Sequence, residues 1–209
     1  MILTPIPREQ LDAALDRFAA QLREPGARAA FARICATMPE RAAGAEAERH
    51  RLAAVDFARR HGVPVHPPGA SPAFNWDGTA LDGATEAYVI LHEVAHFALA
   101  PPERRGLVDF GLGPGPDTRD RAAAEDALAL PLLEREAEEA EASLLGILWE
   151  AALGQPALAS FLDQNWLEGL GRSAAAHFTA VLARLQRRGL TETALLAEGG
   201  AQLPVREIR

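Results

Sequence analysis

The stretch Tyr88-Val89-Ile90-Leu91-His92-Glu93-Val94-Ala95-His96-Phe97 decides how this chain is read. Ala87, Val89, Ile90, Leu91, Val94, Phe97 and Ala98 recur at helical spacing, and Pro101-Pro102 closes the run, so a helix is predicted over 84–100. Residues four apart on a helix stand one above the other on the same face. His92 and His96 can therefore reach a single metal ion, and Glu93 between them can point into the same site as a catalytic carboxylate. An apolar helix that carries two histidines and a glutamate needs a reason, because buried polar groups without partners are costly. A metal centre supplies one; the bland alternative is a pair of histidines satisfied by hydrogen bonds.

Working outward, a chain of 209 residues, 48% of them hydrophobic, can bury a sizeable core. It is expected to divide at most into an N-terminal helical segment, 1–62, and a metal-binding catalytic domain, 63–209, the alternative being one continuous domain. No apolar run reaches about 18 residues, so no membrane span is expected. Met1 to Pro7 shows no basic region followed by an apolar stretch, so no secretory signal is expected. Cys35 is the one cysteine, which excludes an intramolecular disulfide and fits a reducing cytoplasm. A formal charge of −8 argues against nucleic acid as a direct partner. Every basic side chain is arginine, which reads with the abundant Ala, Gly and Pro as coding bias.

Leu11, Ala14, Leu15, Phe18 and Leu22 share one face of a helix over 7–22, and further helices are predicted over 27–37 and 45–61, the latter closed by Gly62. Val63-Pro64-Val65-His66 and Ala73-Phe74-Asn75-Trp76 read as short extended segments, strands of a small sheet beside the metal helix. The fold class expected is therefore α+β, helix-rich with a small short-stranded sheet. Gly106 to Asp120 is a glycine- and proline-rich loop. Its Gly111-x-Gly113-x-Gly115 spacing is a poor nucleotide loop, because prolines interrupt it and no strand precedes it. Helices follow over 118–128, from Pro131 to about Leu153, and over 156–162, 172–188 and 191–198.

Two histidines call for at least one further protein ligand. The stretch Glu134-Arg135-Glu136-Ala137-Glu138-Glu139-Ala140-Glu141 offers five glutamates, most of them a solvated face. On a helical wheel Leu133, Ala137, Ala140, Leu144, Leu148 and Ala151 mark the apolar side. Glu141 falls within it, Glu138 lies at its border, and Glu139 points nearly away. A carboxylate on a buried stripe has to be neutralised or bound to a cation. Glu141 is thus the expected ligand and Glu138 the runner-up, against the plainer possibility that Glu141 pairs with an arginine.

Three further segments follow in order. Arg104-Arg105-Gly106-Leu107-Val108-Asp109-Phe110-Gly111 comes first, then Pro116-Asp117-Thr118-Arg119-Asp120, then Glu138-Glu139-Ala140-Glu141. With the His92-Glu93-x-x-His96 motif this order resembles the elongation factor P hydroxylase family, over about residues 72–198. The resemblance implies a cytoplasmic non-haem iron oxygenase, with Fe(II) as cofactor and molecular oxygen as co-substrate. Carried across, its ligands are His92, His96 and Glu141, and its reaction hydroxylates a modified lysine on elongation factor P. The chain departs from the family at Leu112-Gly113-Pro114-Gly115, where aromatic residues are usual, and at Ser143-Leu144-Leu145, where a Lys-Pro-Gln stretch is usual. Those departures bear on the substrate, so another protein-bound lysine derivative or related amine is equally in play.

In that chemistry two imidazoles and one carboxylate leave open positions on one face of Fe(II). Asp109, Asp117 and Asp120 are then candidate substrate-binding residues, anchors for a cationic amine or partners of the imidazole N–H groups; as helix caps or arginine partners they would have no such role. The rival is a zinc metallopeptidase, with Zn(II) on the same ligands and Glu93 as general base toward a bound water. A non-enzymatic, metal-stabilised module would need a fourth protein ligand, for which His66 is the candidate.

Overall fold

The computed structural model describes residues 6–167 and 173–191. Helices α1 (Arg8–Gln21), α2 (Pro25–Cys35) and α3 (Gly44–Arg60) precede α4 (Ala87–Leu99), which carries the two histidines. A short α5 (Pro102–Arg105), a single 3-10 turn (Val108–Gly111) and α6 (Arg121–Asp126) lead into the long α7 (Leu132–Ala152), followed by α8 (Ala157–Asp163) and α9 (Ala174–Arg187). The helix expected over 191–198 lies almost wholly outside the described residues.

The α+β expectation is corrected to a mostly α fold, since the described residues contain no strand. Both candidate strands shrink to isolated bridges on one residue: Leu81 pairs with Val65 on one side and with Trp76 on the other. The physical reason is local. Pro64, Pro67 and Pro68 remove backbone donors around the first segment, and Asp77-Gly78 turns the second after a single pair. What remains is a pinned loop. His66 N–H donates to Leu81 O and Leu81 N–H to Pro64 O, both at 2.9 Å.

Two hydrophobic assemblies hold the helices. Phe18, Phe31, Phe161 and Phe178 meet edge-on or tilted, with centroids 4.7–6.3 Å apart, and tie α1, α2, α8 and α9 together. Helix α4 lies between α3 and α7, with Ile90, Leu91, Val94 and Ala95 buried. The residues before 62 therefore pack directly on the segment that carries the histidines. Gly146 sets how closely α4 and α7 approach: a Cβ there would lie 3.3 Å from His92 Cα and N. Among the described residues no helix is long and apolar enough to cross a membrane.

Candidate metal centre

Helix α4 begins after an extended Glu86 and stops at Ala100, whose extended backbone is what a following proline demands. It presents His92, Glu93 and His96 toward a pocket of about 410 Å³. His92 Nε2 and His96 Nε2 face each other at 3.0 Å. Glu139 Oε2, arriving from α7, lies 3.4 Å from the first and 3.6 Å from the second. A point equidistant from these three atoms is about 1.9 Å from each. An ion about 0.5–1 Å off their plane would therefore reach the roughly 2.0–2.2 Å usual for imidazole nitrogen and carboxylate oxygen. The donor set fits a divalent transition metal.

The acid at this centre is Glu139, and the expectation for Glu141 is corrected. Glu141 is buried on another side of α7, where Arg184 Nε donates to its Oε1 at 2.6 Å and Arg188 Nε lies 3.1 Å from Oε2. The wheel failed for a physical reason. Helix α7 is covered on more than one side, by α4, by α8 and α9, and by α2. Its apolar stripe faces the bundle, while Leu133 and Ala137, which helped define that stripe, are exposed. The side facing α4 carries Glu139 and, two turns on, Gly146. A small residue seven positions after an acid was the available signal.

Glu138, the runner-up, sits behind the centre. Its Oε1 lies 3.6 Å from His96 Nδ1, an ion-pair distance longer than a hydrogen bond, and neither atom has another hydrogen-bond partner. Its other oxygen pairs with the buried Arg104, whose Nη1 donates to Phe110 O at 3.0 Å. Glu138 thus favours a proton on Nδ1 and leaves Nε2 turned to the centre. Phe110 stacks between His96 (5.7 Å) and Trp76 (5.2 Å) and walls the inner ring from solvent.

That wall rests on an unusual turn. Asp109 (φ 43°) and Phe110 (φ 53°) are both left-handed, at a cost of roughly 1–3 kcal/mol each. The turn is held by Asp109 N–H donating to Trp76 O at 2.9 Å and by the Thr118 hydroxyl donating to Asp109 Oδ2 at 2.7 Å. Of the expected substrate anchors, Asp109 and the exposed Asp117 line the pocket. Asp120 does not; its carboxylate caps α6 by accepting from Ala123 N–H at 3.1 Å, which corrects that assignment. His66 is paired with Asp77 at 2.7 Å and belongs to a different cavity, so it is no fourth ligand. Among the described residues the metal-type cluster is His92, His96 and Glu139. Asn75, Thr118 and Phe110 were missed because nothing local marks a loop residue that becomes a pocket wall only after folding.

The centre attracts positive charge. Burial opposes a charge on His96, but Glu139, Glu138 and Glu93 outweigh it and raise the ring to about 10. Burial likewise works to raise Glu139, yet the two histidines hold its carboxyl well below the usual range. Glu93 is different. Burial pushes it up against the pull of His96 and His92, and Asn75 Nδ2 donates to its Oε1 at 3.4 Å. Burial also raises Asp109, against its Thr118 hydrogen bond. No protein-family model, no curated protein and no solved structure matches the chain.

Proposed function

We propose that the chain is a cytoplasmic, oxygen-dependent non-haem iron hydroxylase, acting on an amine-bearing side chain of a protein substrate such as elongation factor P. The observation that carries this reading is the donor set. Two imidazole Nε2 atoms and one carboxylate oxygen converge from one side onto a pocket large enough for a lysine-like chain. Two histidines and a carboxylate with open positions beside them suit Fe(II) better than a closed structural zinc site. The order of segments shared with the elongation factor P hydroxylases supports the substrate class. Bound iron would supply the activation of molecular oxygen.

The remaining roles belong to the chain. His92, His96 and Glu139 would hold the ion, with Glu138 and Arg104 orienting the inner ring. Asp109 and Asp117 line the same pocket and would draw a substrate ammonium in. Glu93, buried and with its carboxyl pushed up by burial, lines the pocket beside both rings, where it would hold or pass a proton. Phe110 and Trp76 keep water from the far side of His96.

A zinc peptidase is the second reading, favoured by Glu93, which lines the pocket next to both rings as a general base would. One experiment separates the two. The protein is purified without oxygen, its metal is measured, and the iron-loaded and zinc-loaded forms are each incubated with lysine-modified elongation factor P, oxygen and a two-electron reductant, which together would yield the hydroxylated side chain and water. Gain of one oxygen atom on the substrate with iron supports the hydroxylase. A cleaved chain with zinc, and an unmodified one with iron, would establish the peptidase instead.

A further inference from the structure

The charged side chains that wall the metal pocket are acids. Glu93, Asp109, Asp117 and Glu139 line it, and among the described residues no lysine or arginine does. Two of its side-chain donors are spent inside it: Asn75 Nδ2 is turned to Glu93, and the Thr118 hydroxyl donates to Asp109. Gln164, which lines the same pocket from the turn that ends α8, is different. Its Oε1 accepts from the Ser143 hydroxyl at 2.5 Å, while its Nε2 has no hydrogen-bond partner among the described residues.

A chain of contacts fixes which end of that amide is left over. Asn165 takes a left-handed conformation (φ 58°) that closes α8, with Trp166 N–H donating to Phe161 O at 3.1 Å. The buried Trp166 ring stacks on Phe161 and on His177, and its Nε1 donates to Ser143 Oγ at 2.8 Å. An indole N–H can only donate, so the serine oxygen accepts and its own hydrogen is free to go to Gln164. A separation of 2.5 Å suits O–H···O and is short for an amide N–H donor, which puts Oε1 on Ser143 and leaves Nε2 as the free end. Ser143 stands one turn after Glu139 on the same face of α7, so the amide it holds belongs to the wall next to the metal-binding carboxylate.

A neutral N–H donor in a wall of acids has no use for a cation; it fits an acceptor. We propose that Gln164 is a specificity-determining residue of the metal pocket, whose Nε2 donates to an amide carbonyl oxygen of the substrate while the acids take its ammonium. Ser143 and Trp166 are the positioning residues behind it. The inference rests on the pocket being the site of an amine-bearing protein substrate. It adds that the amine alone is not enough: a carbonyl, from the main chain or from an amide within the side chain, is recognised with it.

Calorimetric titration of the zinc-loaded full chain under nitrogen tests it, using 6-aminohexanamide against hexylamine and 3-aminopropanamide against propylamine. The first amide carries its carbonyl where the main chain of a lysine residue does; the second holds it close to the amine, as an amide within the side chain would. At least one amide is expected to bind about 3–10-fold more tightly than its alkyl partner, and which one does names the source of the carbonyl. Gln164→Leu, at a half-buried position, lowers amide binding to the level of the alkylamine, with metal content and circular dichroism unchanged. Ser143→Ala reduces the preference and Ser143→Thr restores it. Should Gln164→Leu fail to fold, Gln164→Glu, which keeps the shape and removes the donor, decides the matter. Equal binding of amides and alkylamines overturns the proposal; so does a preference that the Gln164 variants retain, or no binding of any probe. Loss of the preference in Gln164→Leu supports it even where the iron-loaded protein leaves elongation factor P unmodified, an outcome that counts against the hydroxylase alone.

Discussion

At the scale of single residues, neighbouring glutamates on α7 have three different jobs, and substitution separates them. Glu139→Ala removes a donor from the centre, so metal affinity should fall by more than the roughly 10–100-fold typical of losing an orienting partner, which is the expectation for Glu138→Gln. Glu141→Ala should leave affinity unchanged and instead cost ~1–3 kcal/mol of stability, because it strands Arg184 and Arg188. Metal titration and denaturant melts on the three variants check this; loss of metal binding in Glu141→Ala alone would contradict the geometry. Glu150 makes a separate prediction. Its carboxyl is raised by burial from 4.5 to about 7. The folded state therefore keeps this proton to higher pH than the unfolded chain does. Its contribution to stability is fully present below about pH 4.5 and is lost as pH rises through about 7. At roughly 1.4 kcal/mol per pH unit the effect is on the order of 3 kcal/mol. The melting temperature should decline across that window, and Glu150→Gln should flatten the decline.

Between elements, the centre depends on how near α4 comes to α7. The histidines ride on one helix and the carboxylate on the other, so no local propensity holds the three donors together. Gly146 does, by leaving room for the His92 backbone. Gly146→Leu should force the helices apart, lowering stability by ~1–3 kcal/mol and metal affinity by at least about tenfold, although it touches no ligand side chain. Calorimetric titration with Fe(II) under nitrogen reads the second effect; unchanged affinity would mean that the pocket adapts by other means. The Asp109-Phe110 turn plays the complementary part on the other side, pressing an aromatic face on His96 and setting a carboxylate in the pocket wall.

For the molecule as a whole, the phenylalanine cluster and the α3–α4–α7 packing make the early helices part of the same core as the centre. Phe31→Ala, far from the metal, should cost about 3–5 kcal/mol and lower a single cooperative melt in which helicity and bound metal are lost together. Saturating metal should raise that melt by mass action, by about 2.7 kcal/mol at a hundred times the dissociation constant, and Glu139→Ala should abolish the rise. Two resolved transitions would show instead that the early helices form a unit of their own.

The helices and the histidine pair were legible in the sequence because both are local. Periodicity, a glycine or proline stop and a spacing of four are written within one or two turns, and α1 to α4 and α7 fall within a few residues of where they were expected. The sheet was not legible, because a strand exists only if a partner pairs along its length, and here the partners meet at Leu81 alone. Nor was the third donor. A wheel reports one hydrophobic direction, whereas α7 is covered on several sides, and only the packed bundle decides that Glu139 turns to the histidines while Glu141 turns to Arg184. Short-range order thus followed from the chain itself; which acid completes the centre was settled by tertiary contact, since it depends on the relative placement of helices about forty residues apart.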